Sequence, residues 1–138
     1  MFKLFTRHSG PIRIASSVDN NPTWQAISDN KRKLHNQGIM EKLKVNATKD
    51  SAGNMYIMVV NRHSSDEVKA TVELGNYTLT DKNATVLTLE GDSYLACNTV
   101  ENPDNVIIKE AKLPVNDIFD YTFPAHSITA ITLKGKMK

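Results

Sequence analysis

Hydrolytic chemistry most often needs two carboxylates facing each other across a cleft, one of them with a raised pKa. The 138-residue chain places Glu73 on an alternating run with Lys69 and Thr71, and Glu90, Asp92, Glu101 and Asp104 in a stretch rich in turn residues. Neither arrangement aims two acids at one point. The histidines, His8, His35, His63 and His126, lie far apart, and none has the short spacing that sets two metal ligands on one strand or helix face. His63 and His126 end strand-like runs, in Asn61-Arg62-His63 and Pro124-Ala125-His126-Ser127, where polar side chains commonly tie down turn backbone. Ser127 stands one position from His126, too close for a nucleophile and its base unless the chain turns sharply. Cys97 is the single cysteine. It excludes an intrachain disulfide and a multi-thiolate zinc site, and reads either as a small buried hydrophobe or as a loop thiol. No glycine-rich phosphate loop occurs. These residues predict no catalytic group, no metal site and no cofactor, and hence a chain that is not by itself an enzyme.

Sugar recognition asks for something different, exposed aromatic rings that stack on pyranose or furanose faces. Trp24, Tyr56, Tyr77 and Tyr94 stand apart from the aromatic run near the C-terminus, and Trp24 and Tyr94 are the predicted carbohydrate contacts. Trp24, just after Pro22, is the best single candidate, with burial under a loop or at an interface as the competing reading. A net charge of +2 with both signs interspersed gives no stripe to gather phosphates or anionic lipid, so nucleic acid is not an expected partner. No apolar run is long enough to span a membrane. Met1 to Ser17 carries Lys3, Arg7, His8 and Arg13 and lacks the apolar centre of a signal peptide, which predicts a cytoplasmic location. The sequons at Asn46, Asn76 and Asn83 read as ordinary turn and strand residues.

The elements that must position these residues are mostly strands. Leu43, Val45 and Ala47 alternate with Lys44, Asn46 and Thr48, the period of a strand with one buried face. After the turn Asp50 to Asn54, Met55 to Val60 is almost continuously apolar, as in a central strand covered on both sides. Val68 to Leu74 alternates again, Ala84 to Leu89 and Val106 to Leu113 follow, and Glu90 to Asn105 between them reads as a long crossing loop. Asp117 to Phe123 puts Phe119, Tyr121 and Phe123 on one face, and Ser127 to Leu133 closes the pattern. Phe2 to Thr6 and Ile12 to Val18 are the expected first strands. Residues 19–42 read as a polar connection, with at most a helical turn near Pro22 to Leu34. Many β-branched runs joined by Gly, Asn and Asp turns predict one all-β domain over residues 1–138, an antiparallel sandwich or jelly roll.

Four segments, taken in order, sharpen that reading: Phe2-Lys3-Leu4-Phe5-Thr6-Arg7-His8-Ser9-Gly10, Val59-Val60-Asn61-Arg62-His63, Asn98-Thr99-Val100-Glu101-Asn102-Pro103-Asp104-Asn105-Val106 and Phe123-Pro124-Ala125-His126-Ser127-Ile128-Thr129. Their order and spacing cover almost the whole chain, which resembles the C-terminal domain of α-L-arabinofuranosidases of glycoside hydrolase family 51. The resemblance implies a β-sandwich of jelly-roll type packed beside a (β/α)₈ barrel. In such enzymes two glutamates on barrel strands carry out retaining hydrolysis of terminal arabinofuranosyl groups. Neither the barrel nor its glutamates lie in this sequence, so no catalytic residue carries over. Gln25 to Lys42 departs from the family pattern in being longer and more polar. The family's sandwich also borrows a strand from the N-terminus of the full enzyme, which implies an exposed edge here and association through it. The expected role is an accessory, non-catalytic domain, with a barrel or a second copy of the chain as its partner. The alternative is a free-standing carbohydrate-binding module for arabinose-containing polysaccharide.

Overall fold

In the apolar run Met55–Asn61, successive side chains point to opposite faces of a sheet, and both faces are covered. The computed structural model describes residues 2–25 and 38–138. In chain order its elements are helix α1 (Phe2–Arg7) and strands β1 (Ile12–Ile14), β2 (Thr23–Gln25), β3 (Ile39–Glu41), β4 (Leu43–Lys49), β5 (Met55–Asn61), β6 (Val68–Glu73), β7 (Tyr77–Leu79), β8 (Asn83–Glu90), β9 (Ile107–Pro114), β10 (Ile118–Phe123), β11 (Ser127–Leu133) and β12 (Gly135–Met137). A six-stranded sheet in the order β1-β4-β5-β11-β8-β9 forms one layer, and the pairs β10-β6 and β12-β7 lie across its inner face. The strand pairs are antiparallel throughout. The protein is an all-β sandwich of jelly-roll type.

Two clusters explain the burial of the sheet. Met55, Ile57 and Val59 of β5 join Val86, Ile131, Leu133, Phe119 and Phe123 between the layers. Met58 of β5 points the other way, to Leu87 and Ala130 and to Leu4 of α1. Each such side chain, fully buried, contributes about 1.5–3 kcal/mol. The alternation in β10 behaves as its sequence predicts, with Phe119 and Phe123 buried and Tyr121 half-buried against Phe123 at a ring-centroid distance of 4.8 Å.

Four local departures from the sequence reading have physical causes. Phe2 to Thr6, expected as a strand, is helix α1. Six residues are too few to separate a period of 2 from one of 3.6, and the helix presents Leu4, fully buried, to the sheet while Lys3, Phe5, Thr6 and Arg7 stay exposed. The chain then returns tightly over β4. Gly10 donates its N–H to Thr48 Oγ1 at 2.9 Å, and a Cβ on Gly10 would collide with the Lys49 backbone. Ile12 to Val18 is a strand only as far as Ile14. The polar connection expected over residues 19–42 contains a β-hairpin pair, because β2 and β3 bond to each other, Trp24 opposite Met40. The possible helical turn near Pro22 to Leu34 falls largely outside the described residues. Strands β7 and β12, each three residues long, carried no periodicity of their own. They are held by Tyr77, which is fully buried and donates its hydroxyl to Gly53 O at 2.9 Å. A Cβ on Gly135 would stand 2.7 Å from the Tyr77 ring, so the close approach of β12 requires glycine there.

Candidate functional site

The residues singled out in Asn61-Arg62-His63 and Pro124-Ala125-His126-Ser127 meet at one end of the sandwich, where β5 and β10 finish and β11 begins. Asn61 is 1% exposed. Its Nδ2 donates to Asp66 O and Phe123 O at 2.9 and 3.1 Å, and its Oδ1 accepts the His63 N–H at 3.0 Å. Arg62 donates from Nε and Nη2 to the single carbonyl of Glu41 on β3. His63 Nδ1 accepts the N–H groups of Ser65 and Asp66 at 3.2 and 2.8 Å. The proton of the neutral ring therefore sits on Nε2, which faces Asp66 Oδ2 at 3.4 Å. The Lys42 ammonium, bonded to the same carboxylate at 2.8 Å, holds Asp66 below the usual carboxylate range, with His63 adding to it.

His126 ties three connections together. It adopts φ 41°, a left-handed conformation few non-glycine residues take. Its N–H bonds to His63 O at 2.8 Å. Its ring places Nδ1 2.9 Å from Ser64 O and Nε2 2.9 Å from Gly91 O, at the start of the crossing loop. Ser127 is 1% exposed and donates its hydroxyl to Pro124 O at 2.7 Å. Every one of these polar side chains is occupied with backbone. The arrangement can fix loops, but it offers no nucleophile with a base beside it.

Trp24 and Tyr94 are placed on different elements. Trp24, on β2, is half-buried and packs edge-on against the His63 ring at 4.7 Å and 61°. Its Nε1 is buried without a partner. Tyr94, in the crossing loop, is 61% exposed. Aromatic contacts among the described residues join Trp24 to His63 and Tyr121 to Phe123, and Tyr94 belongs to neither pair. Tyr56, one of the two further tyrosines weighed as sugar contacts beside Tyr94, donates to Asp50 at 2.9 Å. Burial and then this carboxylate push its hydroxyl pKa up. Cys97 is an exposed loop thiol. Among the described residues no group of three His, Cys, Asp or Glu side chains could hold a metal ion.

The residue pattern implied an exposed edge only through the family resemblance and did not locate the open flank. A groove of about 710 Å³ runs between the layers, lined by Leu43, Val45 and Ala47 of β4, Ile57 and Val59 of β5, the stretch Ile14 to Asn20, and the whole length of Val68 to Leu74. Strand β6 pairs with β10 alone among the described strands. The Leu74 N–H bonds to Asp117 O at 3.0 Å, and the register runs Glu73 to Ile118 through Val68 to Phe123. Antiparallel alternation then turns the backbone groups of Lys69, Thr71 and Glu73 away from β10, toward the groove. The alternation of Val68 to Leu74 predicted a one-faced strand but carried no sign that its far edge lacks a neighbour among the described strands.

A family model of the alpha-L-arabinofuranosidase C-terminal domain matches residues 1–127. The chain belongs to that family. Among solved structures it is similar to the thermostable family 51 α-L-arabinofuranosidase of Thermotoga petrophila RKU-1, with 28% identity and a TM-score of 0.79 over 96% of this chain. It is similar also to the α-L-arabinofuranosidase of Thermotoga maritima, solved as an arabinose complex, with 27% identity and a TM-score of 0.79 over 95% of this chain. The chain covers 28% and 27% of those two proteins. CelM2, a bifunctional glucanase-xylanase from a metagenome library, shares the fold at 22% identity and a TM-score of 0.54, over 69% of this chain and 16% of its own. No curated protein sequence matches significantly. As an arabinofuranosidase C-terminal domain, the chain is an accessory domain by family, and its ordered loops and open flank are features of that accessory unit.

Proposed function

We propose that this arabinofuranosidase C-terminal domain is a non-catalytic support for a (β/α)₈ glycoside hydrolase barrel whose activity is hydrolysis of terminal α-L-arabinofuranosyl residues. The observation that carries this reading is the groove beside β6. An unpaired strand edge in front of a half-covered apolar wall is unstable as a free surface and fits an added strand, which would satisfy the backbone groups of Lys69, Thr71 and Glu73. A strand supplied by the N-terminal part of a longer enzyme, as the family's sandwich borrows one, meets that need and fastens the sandwich to the barrel. The polar side chains of Asn61, His63 and Ser127 are spent on loop backbone, and in this reading hydrolysis belongs to the barrel.

The carbohydrate-binding alternative rests on Trp24 stacking on sugar, and the half-buried Trp24 ring already contacts His63 edge-on. Titrating the chain with arabinan while following Trp24 fluorescence, and incubating it with an aryl α-L-arabinofuranoside, separates the readings. The support role gives no saturable fluorescence change and no arabinose. A saturable change would make the chain a sugar-binding module, and release of arabinose by chain free of barrel would make it an enzyme.

A further inference from the structure

Strand β9 ends the six-stranded sheet and pairs only with β8 among the described strands. Its residues from Ile107 to Lys112 are exposed on both faces. The bond from Val115 N–H to Lys82 O, 2.8 Å, extends the ladder between β8 and β9 and fixes its phase. Antiparallel alternation makes Leu113, Ala111 and Lys109 the residues bonded to β8, and turns the N–H and C=O groups of Ile108, Glu110 and Lys112 outward. Pro114 falls in the outward set as well, so its missing N–H takes no bond from β8. The crossing loop that leads into β9 is pinned, since Asn98 bonds both backbone groups of Val106, at 2.6 and 3.0 Å. The edge is therefore held ready in an extended form.

We infer that this edge pairs with the same edge of a second copy of the chain, antiparallel and centred on Ala111. The choice of centre follows from symmetry and charge. Two copies joined edge to edge are related by a two-fold axis perpendicular to the sheet, so a residue near the middle of β9 faces its own counterpart. Centring on Lys109 or Glu110 sets like charges directly opposite, which is destabilising. Centring on Ala111 puts a methyl group at the axis. It sets Glu110 opposite Lys112 of the second copy, and Lys112 opposite Glu110, on one face of the joined sheets. The outward backbone groups of Glu110 and Lys112 then exchange both hydrogen bonds, and the Ile108 N–H meets the C=O of Pro114, with the two apolar side chains in contact. Lys109 stays on the other face with Glu90, at 2.8 Å. This pairing uses a different edge from the barrel reading and does not depend on it.

Sedimentation velocity of the full chain over a range of concentrations tests the pairing, with Glu110→Lys, Lys112→Glu and the double exchange as variants. Both positions lie on an exposed strand, and far-ultraviolet circular dichroism verifies that each of the three variants folds. The expected result is a reversible dimer whose dissociation constant rises about tenfold in each single variant, as two attractive cross-strand pairs become repulsive, and recovers in the double variant. A chain that is monomeric at every concentration overturns the inference. So does a dimer that none of the three variants affects, which would place the contact elsewhere.

Discussion

Strands β6 and β9 each end a sheet, yet they meet their surroundings in opposite ways. The β6 edge opens on a groove walled by Leu43, Val45, Ile57 and Val59, so whatever fills it gains apolar burial as well as backbone bonds. The β9 edge has solvent on both faces and an alternating row of Lys109, Glu110 and Lys112, so a partner there gains backbone bonds and charge pairing with little core. Under the two proposals, the first edge takes a strand that becomes part of the core and the second a reversible neighbour. Edges with inserted charge also resist indiscriminate pairing, which fits a β9 contact that depends on register. In the third region, around His63 and His126, the side chains of Asn61, Arg62, His63 and Ser127 bond to backbone of the chain itself.

The largest test of this contrast compares the closed and open sides of the core. Ile131→Ala, at a site 1% exposed between the layers, is expected to cost about 2–5 kcal/mol in urea denaturation. Val72→Ala, on the half-buried wall of the groove, is expected to cost less than about 1 kcal/mol. Equal losses would mean that the groove wall is as tightly packed as the core. A smaller effect is expected at the tied end. Asn61→Ala removes the donors to Asp66 O and Phe123 O and the acceptor for His63 N–H, and leaving such groups unpaired costs about 1–3 kcal/mol. Thermal melts of this variant alone, set beside Ser65→Ala on the same connection, show whether Asn61 is the tie or merely a neighbour of it.

The smallest effect concerns the strap between β6 and β10. The hydrogen bond from Thr71, then the contact with Lys69, holds the Asp120 carboxyl below the usual range. Because the folded pKa is depressed, this contribution is present above the unfolded value of about 3.9 and is lost as pH falls through the folded value. Amide exchange along β6 is expected to quicken in that acid range, and Asp120→Asn to flatten the dependence. An unchanged pH profile in Asp120→Asn would show that the strap does not hold β6.

The strands that bury at least one full face were legible residue by residue. The alternation of Phe119, Tyr121 and Phe123, and the continuous apolar run of β5, report their surroundings directly, because a side chain's polarity is selected by the face it meets. The family segments were legible for a related reason. Asn61, Arg62 and His63 lie in one of them and His126 and Ser127 in another, and in the fold these residues tie loop backbone where only their own donor and acceptor pattern fits. Trp24 was legible as a residue that needed a partner, but the partner was not. Its ring rests on His63, 39 positions along the chain, a contact made by the hairpin of β2 and β3 inside a stretch that read as connection only.

Helix α1, β7 and β12 were not legible, since three to six residues are too short for a period and their conformations are fixed by distant contacts, Leu4 under the sheet and Tyr77 against Gly53. The resemblance implied an exposed edge, but that it falls at β6 was beyond sequence for a deeper reason. A strand's composition records which face is buried, whereas its edge is made of backbone groups common to every residue. The sequence by itself determined an all-β chain and its apolar faces. Only the tertiary structure decided which strands are neighbours, and so which edges end a sheet among the described strands, because neighbour choice is settled by packing between segments far apart in sequence.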